Sequence, residues 1–386
     1  MSRSQARELA VEPIAPPPRA NPDLLGHEAA EAELRRLFDS GRMPHALLLT
    51  GPRGIGKATL AFRLARFALA EGGGEGVGPS LFGEESPSDG LTILPESGTF
   101  RRVASGGHAD LFTLERGYDR RGRLRTVITV DDTREIEKFL HLTSAEGGWR
   151  VVVIDGADEM NPNAANALLK ILEEPPRRCL LLLVAHSTGR LLPTIRSRCR
   201  KMALPALAPV LVRRLLARYR PDLDEEQADA IAALADGSIG RALDLAGAGG
   251  VELYQTVLGL LNREVGIDPA ALHAFADRLA RREAEQSYRA IEDLLGQLLA
   301  RLAIAAAEGT PGSGFRGDSE TAAVLSTETP VLRRLGTRAP AARWAALRGE
   351  IEESFARSDG LNLDRKQTIL SAFFAIERAA GSKAAG

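Results

Sequence analysis

The chain has 386 residues, more than a single hydrophobic core usually organises, so two or three domains are expected. Hydrophobic residues make up 44% and charged residues 26%, an ordinary globular balance that excludes a chain disordered throughout. With 50 basic and 51 acidic side chains the net charge is -1, so no global field draws the chain to nucleic acid or membrane, and any DNA contact has to be local or made through partners.

Residues 1–22 hold a Pro-Pro-Pro stretch and no long apolar run, and read as a flexible tail, not a signal peptide or an anchor. No later segment has the roughly 20 uninterrupted apolar residues of a membrane span, so a soluble, cytoplasmic protein is expected. Leu34, Leu37 and Phe38 recur at helical spacing within 24–40, and the apolar run 45–50 (HALLLT) reads as a strand covered on both faces. That strand leads straight into the loop 51–57, which a helix bearing Leu60, Phe62, Leu64, Ala65 and Phe67 follows. The stretch 72–110 is rich in Gly, Ser, Pro and Glu and reads as an irregular insertion.

Two strands are expected next, at 111–114 and 127–130, around a basic turn. Asp132, three residues before Glu135, then resembles a capping box opening a helix with Ile136, Phe139 and Leu140 on one face. A strand at 151–154 ends in Asp155, a helix over 163–174 stops at Pro175-Pro176, and 179–185 (CLLLLVA) is a further buried strand. Strands alternating with helices predict an α/β domain with a parallel sheet over 23–205. Beyond it the pattern is helical, broken at Asp236-Gly237 and 247–250, which predicts a small helical domain at 206–248 and a larger all-α domain at 251–380.

The loop 51–57 fits G-x-x-x-x-G-K, in which backbone N–H groups and a helix N-terminus surround phosphate oxygens and a lysine neutralises them. Gly51, Gly54, Gly56 and Lys57 are the candidate phosphate ligands. The hydroxyl expected after the lysine, a magnesium ligand, is replaced by Ala58, and Thr59 lies about 100° further round the helix, a poor substitute. Asp155 stands where a metal-side carboxylate belongs, but Gly156 follows where a second acid would polarise water. Asp158 and Glu159 are displaced and read more simply as a solvated helix start. Losing both groups leaves a vestigial phosphate site with at most weak ATP or ADP binding, no metal, and little turnover.

The order P-loop, VVVIDGADEMNPNAANALLKILEEPP, LLLLVAHSTGRLLPTIRSRC resembles the clamp-loader branch of the AAA+ family, with Ser197-Arg198-Cys199 among its most specific features. The resemblance covers 23–205 well and 206–380 more loosely. Ala58 and Gly156 look like its non-hydrolysing kind of subunit, not the ATP-hydrolysing gamma/tau kind, so catalysis by the chain alone is not expected. The resemblance implies a hetero-oligomeric ring with gamma/tau and delta subunits of bacterial DNA polymerase III, acting on a sliding clamp and primed DNA. It also implies that Arg198 is an arginine finger supplied in trans. Spacing alone leaves Arg198 equally open to a surface ion pair, as for Arg196 and Arg200. An active ATPase of the gamma/tau or RuvB kind, using Thr59 and Asp158 in shifted roles, is the competing reading.

Three departures limit the resemblance. The stretch 72–110 contains no cysteine, so no zinc module is expected. The sensor position falls at Ala185 or His186, read as strand-end residues. Arg241 sits one place late in a second-sensor-like segment, which puts its phosphate contact in doubt. The ending 361–374 resembles the family's C-terminal helix, and Ile369, Leu370, Phe373 and Phe374 form an apolar set for a collar with other subunits or for its own domain.

Overall fold

A computed structural model of the chain describes residues 15–72, 90–118, 125–263, 266–308 and 324–381. They form two compact units, Met1–Leu211 and Val212–Gly386. In the first, α1 (Glu28–Asp39), β1 (Ala46–Thr50), α2 (Lys57–Gly72), α3 (Gly98–Ser105), β2 (Leu111–Leu114), α4 (Val130–His141), β3 (Arg150–Asp155), α5 (Pro162–Glu173), β4 (Cys179–Ala185), α6 (Pro193–Arg198) and β5 (Arg200–Ala203) follow in chain order. The helix α7 (Pro209–Tyr219) spans the boundary.

The strands pair in parallel in the order β2-β3-β4-β1-β5. Successive strand residues face opposite sides, and both sides are covered. Leu47, Leu49, Val151, Val153, Leu180 and Leu182 pack with Leu34 of α1 and Leu60 and Leu64 of α2. Leu48, Val152, Ile154, Leu181 and Leu183 pack with Ile136 of α4, Leu168 of α5 and Ile195 of α6. This two-sided cover is why 45–50 and 179–185 read as unbroken apolar runs.

Several expectations change. Residues 127–130 form no strand: Ile128 makes one isolated bridge to Met160. The helix α4 starts earlier than expected, because the Asp132 carboxylate accepts from Thr129 N at 2.9 Å and Thr129 Oγ1 at 2.7 Å. Residues 119–124 of the basic turn lie outside the described residues. So do 1–14 and 73–89, but the rest of the expected tail and insertion is ordered. Ser97 Oγ caps α3 by accepting from Phe100 N at 3.0 Å, and Phe100 and Val103 are buried. Arg66, 1% exposed, donates to Arg19 O at 2.9 Å and Asn21 O at 3.0 Å and lies 4.6 Å over the Phe100 ring. A buried guanidinium thus ties the supposed tail and insertion to α2.

The second unit is helical among its described residues, with α8 (Glu225–Leu234), α9 (Ile239–Ala248), α10 (Gly250–Leu261), α11 (Pro269–Leu279), α12 (Glu285–Glu308), α13 (Glu328–Gly336), α14 (Ala341–Leu361) and α15 (Arg365–Gly381). The residues on both sides of the expected division near 250 fall within one compact unit, and α9 and α10 both pack on α12. Glu328, 0% exposed, accepts from Tyr254 Oη at 2.6 Å and Val324 N at 2.8 Å and pairs with Arg301 Nε at 2.6 Å, joining α10, α12 and α13. Ile369, Leu370 and Phe373 are buried in this unit's own core, which leaves only Phe374 of the apolar set half-buried.

Candidate functional site: a self-bonded P-loop and an arginine at the other sheet edge

The P-loop joins β1 to α2, and its glycines are needed where they stand. Gly51, Gly54 and Gly56 have φ of 144°, 75° and 102°, and a Cβ on Gly51 would come within 2.3 Å of Leu204 O. Lys57 opens α2 and is 3% exposed. Its Nζ donates to Gly51 O at 2.8 Å and to Pro52 O at 2.5 Å, so two of its three N–H groups serve its own loop. Burial pushes the ammonium down to about 8, opposed by the charges of Asp155 and Asp158. From the other side, buried His27 Nε2 bonds Ile55 O at 2.7 Å, and the ring edge and Leu24 face Gly56.

Ala58 brings no oxygen, and Thr59 is 8% exposed. Asp155 closes β3, and burial, then Glu115 and Glu159, push its carboxyl above the usual range, against Lys57 and Arg53. Gly156 turns left-handed at φ 80°, ψ 46°. A Cβ there would lie 2.7 Å from Glu159 Oε2, whose carboxylate pairs with Arg116 Nε at 2.8 Å. Asp158 is not a solvated start: it accepts from His186 N at 3.0 Å and Ser187 N at 2.8 Å, which fastens the end of β4. Burial holds His186 down at about 4, so it is neutral at physiological pH. A pocket of about 290 Å³ opens here between Arg53, Arg116, Glu115, Glu159 and Asp155.

Gly51, Gly54, Gly56, Lys57 and Asp155 are therefore brought together, and Arg198 is not with them. The strands are parallel, the P-loop follows the carboxyl end of β1, and Arg198, separated from β5 by Cys199 alone, lies at the amino edge. Roughly 15 Å of five-residue strand separates the two edges. His45 Nε2 lies 3.1 Å from Leu172 O, which places the end of α5 at that amino edge too. Arg198 is exposed there, bonded to Glu173 and Thr194. In the second unit Arg241 N donates to Ser238 Oγ at 3.1 Å, and its guanidinium lies 3.6 Å from Asp293 of α12. No helix among the described residues is long and apolar enough to cross a membrane, and none of their His, Cys, Asp and Glu side chains cluster to hold a metal ion.

Sequence reasoning missed His27, Arg116, Glu173 and the bonds of Asp158. These residues touch partners 25 to 43 positions away, and only the isolated acids near 155 hinted at a cluster.

A parallel sheet in this order, with a P-loop after β1 and an acid closing β3, joined to a unit that is helical among its described residues, defines a P-loop domain of the AAA+ class. The family described as "DNA polymerase III, delta subunit" matches residues 26–208, a little under half of the chain, and the chain is similar to it over that span. The DNA polymerase III subunit delta' of Pseudomonas aeruginosa is 36% identical over 231 residues, covering 59% of this chain and 64% of that protein. The chain thus spans a little under two thirds of that relative. Subunit delta' of Yersinia pestis is 33% identical over 162 residues, 42% of this chain and 41% of its own length. The gamma/tau subunit of Mycobacterium bovis is 31% identical over 288 residues, covering 72% of this chain and 46% of that protein.

Proposed function

We propose that this chain is a largely non-hydrolysing delta-prime subunit of a cytoplasmic bacterial clamp loader. In this reading it is a stator that supplies Arg198 in trans to the ATP site of a neighbouring gamma/tau subunit during clamp loading on primed DNA. The observation that carries the proposal is the separation of Arg198 from its own P-loop by the length of a strand, which puts its exposed guanidinium out of reach of this chain's own nucleotide site, so a nucleotide that it meets belongs to another chain. Delta subunits, the sliding clamp and primed DNA are the further partners, met within the ring.

The chain's own pocket supports a stator role. Ala58 brings no oxygen for a metal, Lys57 is turned onto its own loop, and both carboxylate oxygens of Asp158 already accept from backbone N–H groups, which disfavours its shifted role in an active ATPase. Any ATP or ADP bound is held weakly, since phosphate has to displace the Gly51 and Pro52 carbonyls from Lys57. No resident metal, zinc included, is required.

The test is Arg198→Ala in a loader reconstituted with its gamma/tau and delta subunits. An arginine finger is worth about 10³- to 10⁵-fold in rate elsewhere. The site bordering this chain should fall silent while the ring still assembles. Unchanged turnover removes the finger assignment, and no co-purification with gamma/tau and delta removes the clamp-loader role. Hydrolysis by the isolated chain, lost in Lys57→Ala, would establish the competing ATPase reading.

A further inference from the structure

We infer that Glu173 is the positioning residue for Arg198, holding its guanidinium ready at the subunit surface; this rests on the trans-acting role proposed above. An exposed arginine alone spreads over many rotamers, and a group that must meet a phosphate in another chain works best when its geometry is set beforehand. Arg198 is held at two different nitrogens by two different elements. Its Nη2 pairs with Glu173 Oε1 at 2.6 Å, and its Nη1 donates to Thr194 O at 3.1 Å. Two contacts on separate nitrogens fix the plane of the group as well as its position.

Both anchors stand on rigid ground. Glu173 is the last residue of α5, directly after buried Ile171 and Leu172, and Pro175-Pro176 keep the backbone from winding further. Thr194 lies on α6 beside fully buried Ile195, and Cys199, 7% exposed, pins the chain on the other side of Arg198. The neighbouring basic group is diverted elsewhere, since Arg200 Nη2 pairs with Glu33 at 2.7 Å. Glu173 therefore selects Arg198 from the two arginines flanking Cys199.

The pair also leaves the finger usable. A guanidinium has five N–H groups and the two contacts occupy two of them, so the rest can meet phosphate oxygens while Glu173 stays in place. A latch that had to open first would act with the opposite sign. Removing Glu173 also removes a negative charge near the approaching phosphate, so a latch predicts faster turnover and a positioning residue predicts slower turnover.

The experiment uses the complete loader carrying Glu173→Ala, Glu173→Gln, Arg198→Ala, or Glu173→Ala with Arg198→Ala. Steady-state ATP turnover on primed DNA and clamp is read alongside ring assembly and the melting temperature of this chain. Positioning predicts that Glu173→Ala lowers kcat roughly tenfold at the affected site, with KM for ATP and assembly unchanged. Gln, which keeps a carbonyl acceptor for Nη2, restores part of the rate. In the Arg198→Ala background, removing Glu173 has no further effect. Unchanged or faster turnover in Glu173→Ala, or an equal loss when Arg198 is already absent, overturns the inference. Unchanged turnover in Arg198→Ala instead overturns the finger itself, so the two failures are told apart.

Discussion

Gly156→Ala should destabilise the first unit measurably although it adds a single methyl group. Gly156 sits at φ 80°, where an L-residue costs about 1–2 kcal/mol relative to glycine. The new Cβ would stand 2.7 Å from Glu159 Oε2 and 3.0 Å from its Cδ, so that carboxylate has to move. Moving it strains the 2.8 Å pair with Arg116, a partly exposed bridge worth about 0–1 kcal/mol. Together these give roughly 1–3 kcal/mol, and at about 2–4 °C per kcal/mol for a unit of this size the transition should fall by roughly 2–12 °C. Scanning calorimetry of the whole chain is the assay, because it can resolve the transitions of the two units. Adding Glu159→Ala should recover the steric part and leave the backbone part. A Gly156→Ala chain melting within about 1 °C of the parent would refute this account of why glycine stands there. The same crowding bears on function, since a glutamate placed at 156 to restore a water-polarising acid meets the same left-handed backbone and the same crowded carboxylate.

Two further outcomes concern the helical unit. Burial, followed by Asp293, Asp359 and Glu352, pushes the Glu292 carboxyl up to about 7, while Arg289 opposes them. Because the folded value lies above the ordinary 4.5, this group's contribution to stability is fully present below about 4.5 and is lost as pH rises through about 7. Glu292→Gln should therefore melt higher than the parent at pH 8 and flatten the pH dependence between 5 and 8, and parallel melting profiles would count against the assignment. Glu328→Ala removes a fully buried carboxylate bonded to Tyr254, Arg301 and Val324, and should cost about 3–5 kcal/mol in urea unfolding, with Glu328→Gln falling between. A loss under about 1 kcal/mol would show that the cluster does not hold α10, α12 and α13 together.

Much of the first unit was legible from local pattern. Residues 46–49 and 179–185 are apolar at every position because each run lies inside a sheet covered on both faces, where either side of the strand is buried. The P-loop was legible because its glycines answer a backbone need, the positive φ values of Gly51, Gly54 and Gly56. The errors came where one distant residue decides a segment's fate. Composition made 15–22 and 90–110 look irregular, but the buried side chain of Arg66 orders part of both. The strand expected at 127–130 gave way to a cap, because the bonds offered by the Asp132 carboxylate outweighed the β-branched residues there.

For the site, the residue types alone determined what chemistry is missing. Alanine at 58 has no oxygen and glycine at 156 has no carboxylate in any fold. Where the remaining groups point was decided only by tertiary structure. Whether Asp158 is solvated or bonded to the end of β4, and which carboxylate meets Arg198, depend on chain crossings that bring distant residues together. The parallel sheet sets the largest of these consequences, because it sends the P-loop to one edge and Arg198 to the other, a separation that no spacing along the chain encodes.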